Sequence, residues 1–216
     1  MSVDREPGLR ERKKERTRRA ISDVAMRLFA DRGFDNVTVA EVAEAAEVSL
    51  STVFNYFPTK EDIFFDRQED VEQEWGEVVR GRKPGESAVA ALRRHYFEAL
   101  ERREPRSGIA EGLVTFHRMI EESPALRARE REIGERGVEA LARTLAEEAG
   151  ADPDDITPRV VANQVAGVYG ALYNEGRRRL LAGQSVEEAY PFLLRAARRA
   201  FDLLENGVGD YCIRPG

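Results

Sequence analysis

Apolar residues recur along this chain at helical spacing, and no stretch alternates with the two-residue period of a strand. Ile21, Val24, Ala25, Leu28 and Phe29 fall at i, i+3, i+4, i+7 and i+8, a stripe suited to the core of a small helical unit. Gly33 supplies the stop, with Phe34 beyond it as a hydrophobic clasp. Thr38 then reads as an N-cap and Glu41 as its reciprocal partner, and Val39, Val42, Ala43 and Ala46 form the buried stripe of a second, short helix. After Glu47 and Val48, Ser49 is placed to cap a third helix. There Val53, Phe54 and Phe57 are expected to face inward, leaving Leu50, Ser51, Thr52, Asn55 and Tyr56 outside. Pro58 disfavours helix at Phe57, so this helix has only about two turns. Thr59 and Asp62 repeat the capping device for the next.

From Lys60 onward the pattern predicts helices over about 60–80, 86–103 and 107–122. Ser123 and Pro124 open another that reaches Gly150, and Thr157 and Pro158 open one that reaches Leu181. Ser185 with Glu188 caps the last, which Pro191 is expected to kink or restart. The expected fold is all-α with about nine helices: an N-terminal arm and helix-turn-helix unit over 1–58, and a larger helical body over 59–216.

The run Thr38 to Lys60, TVAEVAEAAEVSLSTVFNYFPTK, pairs two short helices across a tight turn. A short helix with hydroxyls, an amide and a phenol outward is the right object for a DNA major groove, which is read by hydrogen bonds to base edges. On these residues alone a capped surface hairpin of a helical protein fits equally well. The upstream charge favours DNA. Arg10 to Arg19, RERKKERTRR, has seven basic and two acidic residues, Arg16 and Arg18 among the cations. The net charge is +1 up to residue 60 and −7 beyond it. Helix dipoles favour acids at helix starts, so a basic first turn fits better as a counterion for phosphate.

Arg16 to Phe64 resembles the N-terminal domain of TetR-family transcriptional regulators. The resemblance rests on ISDVAMRLFADRGFDNVTV, the helix pair, and YFPTKEDIF in order. It implies a three-helix DNA-binding head, a helical ligand-binding body, a homodimer and a double-stranded operator as partner. Carried over residue by residue, it implies that Thr38, Tyr56 and Lys60 hold phosphates, and that Leu50, Ser51, Thr52 and Asn55 face bases. Ser49 belongs to the same surface as the cap. The family often has Gly where Ser51 stands and Tyr where Phe54 stands, so one phosphate-binding hydroxyl is missing and Ser51 gains a base contact.

Two features of the body extend this reading. Val161, Val165, Val168 and Leu172 stripe the penultimate helix, where Gly167 and Gly170 keep the girth small. Leu193, Ala197 and Leu204 stripe the last helix. Two such helices per subunit suit a four-helix interface about a two-fold axis, and a pair buried within one subunit is the alternative. Tyr96, Phe97, Phe116, His117, Met119, Tyr169, Tyr173 and Asn174 are candidates to line a cavity for a hydrophobic or amphipathic effector. An ordinary core whose tyrosines reach backbone is the competing account. Arg118 beside His117 would favour an anionic or acyl group.

Other classes find little support. His95 and His117 each lack Glu three residues before, and Cys212 is the single cysteine, so neither a di-iron nor a thiolate metal pattern is present. There is no GxxxxGK[ST], GxGxxG or GxSxG, hence no cofactor or catalytic signature. The acidic group Glu69, Asp70, Glu72 and Glu74 reads as a solvated face. The longest uncharged run of the body, Val160 to Asn174, falls short of the roughly 20 residues of a membrane span. A single cysteine and no apolar leader point to the cytoplasm. The expectation is a homodimeric, ligand-responsive repressor, against an all-helical module whose basic arm contacts an acidic protein or RNA.

Overall fold

The computed structural model describes residues 8–66, 71–208, 211 and 213. Cys212, Glu69 and Asp70 lie outside them. Among the described residues the chain forms ten α-helices and two short 3-10 turns, with no strand. The head comprises α1 (Leu9–Arg32), a 3-10 turn (Phe34–Asn36), α2 (Val39–Ala45), α3 (Leu50–Tyr56) and α4 (Lys60–Phe64). The body comprises α5 (Val71–Arg80), α6 (Ala88–Glu101), a second 3-10 turn (Pro105–Ser107), α7 (Leu113–Glu122), α8 (Pro124–Ala149), α9 (Thr157–Leu181) and α10 (Val186–Val208).

Local chemistry explains most boundaries. Thr38 and Glu41 form the expected capping box, as do Thr59 and Asp62, and each such cap contributes about 1 kcal/mol. Ser123 caps α8 with Pro124 in its first turn, and Ser185 with Glu188 starts α10. The helix expected over 60–80 stops at Phe64 and resumes as α5, so there are ten helices rather than nine. The helix expected from Ser107 begins at Leu113, because Gly108 and Gly112 both hold positive φ. Thr157 is the first residue of α9 rather than its cap: the N-cap position is Ile156, which has no side-chain cap bond, and Asp155 just before it accepts the Thr157 amide at 2.8 Å. Pro191 neither restarts nor breaks α10, which runs through it.

In the body α5 packs on α8, α8 on α9, α9 on α10, α10 on α6 and α6 on α5, closing a ring of five helices, with α7 laid on α8 and α9. Trp75, Tyr96, Tyr169 and Phe201 fill its interior edge to face or tilted, Tyr96 and Tyr169 with centroids 5.3 Å apart. The head has its own core of Ile21, Ala25, Phe29, Phe34, Val42, Val53 and Phe57. That core continues through α4 into Met119 and Ile120 of α7 and Leu126 and Ile133 of α8. The two units expected from the sequence therefore share α4. Its Asp62 pairs with Arg129 of α8 at 2.7 Å, and the Ser123 hydroxyl donates to Asp35 at 2.8 Å.

Candidate nucleic-acid interface

α2 and α3 meet across a tight turn. The Val48 amide donates to Ala43 O, and Glu47 sits in the left-handed region at φ 55°. Val53 and Phe57 anchor α3 in the head core. Ser49 caps it, accepting the Thr52 amide at 3.1 Å while its hydroxyl lies 2.9 Å from Ser51 Oγ and 2.7 Å from Thr52 Oγ1. Leu50, Ser51 and Asn55 are exposed, and Thr52 and Tyr56 half-buried.

Phe54 departs from expectation. It is 47 % exposed beside Leu50 at 44 %, so it faces outward rather than into the core. Val53 of the seven-residue α3 and Phe57 just past it fill the inward face, with Tyr56 half-buried against the same core, and Phe54 is left on the opposite side. The signal lay in the i, i+4 spacing of Leu50 and Phe54, which places them on the same side.

Two expected phosphate ligands are engaged within the head. Lys60 Nζ donates to the Phe34 and Val37 carbonyls at 2.9 and 3.0 Å, over the Phe34 ring. Arg18 Nε donates to Asp66 at 2.5 Å, with its guanidinium over Phe57. Both cations therefore tie elements of the head together. Arg10, Arg12, Lys13, Lys14 and Arg16 remain exposed along the first turns of α1, and Thr38 is exposed at the start of α2. The head thus presents an uncharged, exposed short helix, of a kind suited to a groove, and separately an exposed basic helix start, of a kind suited to phosphates.

The body residues fall into separate places. Tyr96 and Tyr169 are buried and donate to the Ser107 and Leu92 carbonyls, and burial raises both phenols so that they stay protonated. Phe97 packs partly buried against Phe201. Met119 belongs to the head core, Asn174 and Arg118 are exposed, and Phe116 stacks on Phe64. The eight residues thus do not line one cavity. His117 differs from the rest. It is fully buried, neither ring nitrogen has a partner in hydrogen-bonding geometry, and Tyr173 stands edge-on at 5.5 Å. Burial, and then Arg177, push its pKa down to about 4, against a weaker opposing pull from the Gly108 backbone. There the chain at Gly108 crosses α9 so closely that a Cβ would stand 2.7 Å from Tyr173 O, an approach no sequence pattern announced.

The expected dimer stripe is internal. Val161, Val165, Leu172, Leu193, Ala197 and Leu204 are buried in the protomer's own core, where α9 packs on α10, and Val168 is half-buried against it. The faces α9 and α10 leave outside carry Val160, Gln164, Gly167 and Ala171, and Leu203.

The fold and this surface define a helix-turn-helix DNA-binding protein. Residues 21–66 match the family model described as bacterial regulatory proteins, tetR family, and residues 86–209 match the MftR C-terminal domain. The chain is 32% identical over 161 residues to the HTH-type transcriptional regulator TcmR of Streptomyces glaucescens, covering 72% of this chain and 70% of that one. It is also 49% identical to the HTH-type transcriptional regulator LuxR of Vibrio harveyi over 43 residues, about a fifth of each chain. A solved SmeT–triclosan complex shares the fold with a TM-score of 0.56 at 18% identity, covering 93% of this chain and 95% of that one. The chain belongs to the TetR family of transcriptional regulators. No helix among the described residues is long and apolar enough to cross a membrane.

Proposed function

We propose that this protein is a cytoplasmic, homodimeric repressor that holds a palindromic operator and releases it when a small molecule enters the body. The observation that carries the reading is the continuous core from α3's anchor residues through α4 into α7 and α8, because a change in the body then has a packed route to the head. Release requires that the effector and the operator favour different placements of the heads, since a ligand with equal affinity for both shifts nothing.

The effector site is placed beside His117, Tyr173 and Phe116. A buried imidazole without a well-placed partner costs stability, as an unsatisfied buried polar group does, and a ligand donor or acceptor would satisfy it. The neighbouring Arg177 is paired with Glu130 and Glu121, so a hydrophobic or amphipathic ligand fits this neighbourhood better than a bare anion. That SmeT has been solved with triclosan supports the same class of ligand by analogy. In the dimer, the outward face of α9 meets its two-fold mate at Val160, Gln164, Gly167 and Ala171.

Selection of bound fragments from genomic DNA, followed by footprinting, tests the proposal. A two-fold-symmetric protected site supports it. Retention of RNA or an acidic protein in place of duplex DNA favours the interaction-module reading.

A further inference from the structure

The outward face of α3 consists of two adjacent rows. Leu50 and Phe54 form an apolar row at i and i+4, and Ser51 and Asn55 a polar row beside it. Among the described residues the Asn55 amide makes no hydrogen bond. α3 carries no charged residue, and Lys60, the next cation along the chain, is held on the Phe34 and Val37 carbonyls. The commonest specific base contact, Arg or Lys to guanine O6 and N7, is therefore not available from this helix. An A·T pair offers what the two rows can use: N7 and N6 of adenine for a side-chain amide, and beside them the C5-methyl of thymine for an apolar group. A G·C pair has no methyl in the major groove.

We propose that Leu50 and Phe54 are specificity-determining residues that seat on thymine methyls, with Asn55 on a neighbouring adenine, so that the half-site read by α3 is A·T-rich. The inference rests on α3 entering the major groove of duplex DNA, as proposed above. Burying each methyl is worth about four-fold in affinity, and both apolar side chains leave water as they do so.

The test uses the full-length protein. Duplexes selected from a random library give the preferred half-site, and fluorescence anisotropy then compares that duplex with one in which each core thymine is replaced by deoxyuridine. Uracil keeps the pairing and O4 acceptor and loses only the methyl. The expected results are an A·T-rich core, affinity lower by about four-fold for each seated methyl on deoxyuridine substitution, and no discrimination by the Leu50→Ala, Phe54→Ala double variant. A G·C-rich core, tight binding by the wild type indifferent to deoxyuridine, or equal deoxyuridine sensitivity in the double variant each overturns the proposal while leaving DNA binding intact. Retention of no duplex at all overturns the DNA reading, and this inference with it.

Discussion

Phe64 of α4 and Phe116 of α7 are stacked, their ring centroids 4.6 Å apart and their planes 13° from parallel. Phe65 meets the same Phe116 ring edge-on at 6.0 Å. One residue of the body thus touches two consecutive residues of the head, and the Asp62–Arg129 ion pair lies on the same helix. Close-packed side chains transmit displacement because protein interiors yield little.

Phe116→Ala should therefore loosen the joint. Truncating a fully buried Phe costs about 3–5 kcal/mol, and for this half-buried ring about 2 kcal/mol is expected. Urea unfolding followed by circular dichroism measures it, with Phe116→Leu recovering most of the stability. Unchanged stability in the alanine variant would mean that the stack contributes nothing to the joint.

Asn55 and Lys60 should separate cleanly. Asn55→Ala removes an exposed amide without partners, so unfolding should be unchanged while the preferred operator sequence shifts. Lys60→Ala removes two hydrogen bonds to carbonyls and the cation over Phe34, so the head should become less stable by about 2 kcal/mol. Its operator affinity should fall on good and poor sites alike. If the Lys60 variant melts like the wild type, those bonds contribute nothing net.

His117 should give stability a pH dependence. Its pKa is about 4 in the folded chain and near the ordinary 6.5 when unfolded. Between those values the unfolded chain binds a proton that the folded one refuses. Stability is full above pH 6.5 and falls as pH drops toward 4, by at most about 3 kcal/mol. His95 shifts the same way, chiefly by burial, so His117→Phe should flatten the slope without abolishing it. Urea midpoints at several pH values measure this, and a variant as steep as the wild type would clear His117 of the effect.

Arg10, Arg12, Lys13 and Lys14, all exposed at the start of α1, should contribute to the salt dependence of operator binding. Replacing all four by Gln should reduce the slope of log affinity against log salt by about 0.9 for each phosphate no longer neutralised. Arg18 is best left in place, since it holds Asp66 and Phe57. An identical slope would make the basic turn a solvated face.

The head is more legible in sequence than the body, for a physical reason. Capping boxes at Thr38 and Thr59 and the stripe from Ile21 are local, and local spacing is what a sequence displays. Phe54 escapes the pattern because an aromatic residue reads as core by default, while its burial depends on how few inward positions a two-turn helix offers. For α9 the periodicity correctly marks one apolar face through Val161, Val165 and Leu172, but periodicity does not say whether the partner is the same chain or another. The burial of those residues against α10 answers that. His117 and the Gly108 crossing depend on helices far apart in sequence, which no local pattern records.

The dimer prediction follows from that correction. A charge introduced at Val165 would be buried without a partner inside the protomer, where such a change costs several kcal/mol, so Val165→Glu should unfold the body. Gly167 and Gly170 lie on the side of α9 where an added Cβ meets nothing within 4 Å. Exposed Gly167 and Ala171 let a second backbone come close, and Val160 offers an exposed apolar surface on the same face. Gly167→Arg should leave each protomer folded, because its own chain does not occupy that space. It should also drive two facing helices apart, since both copies carry the same charge across a two-fold axis. Sedimentation should then show a folded monomer, with circular dichroism unchanged and the palindrome bound only as weakly as a half-site. A Gly167→Arg protein that stays dimeric and binds the palindrome at full strength would place the interface on another face, with Leu203 of α10 the next position to charge.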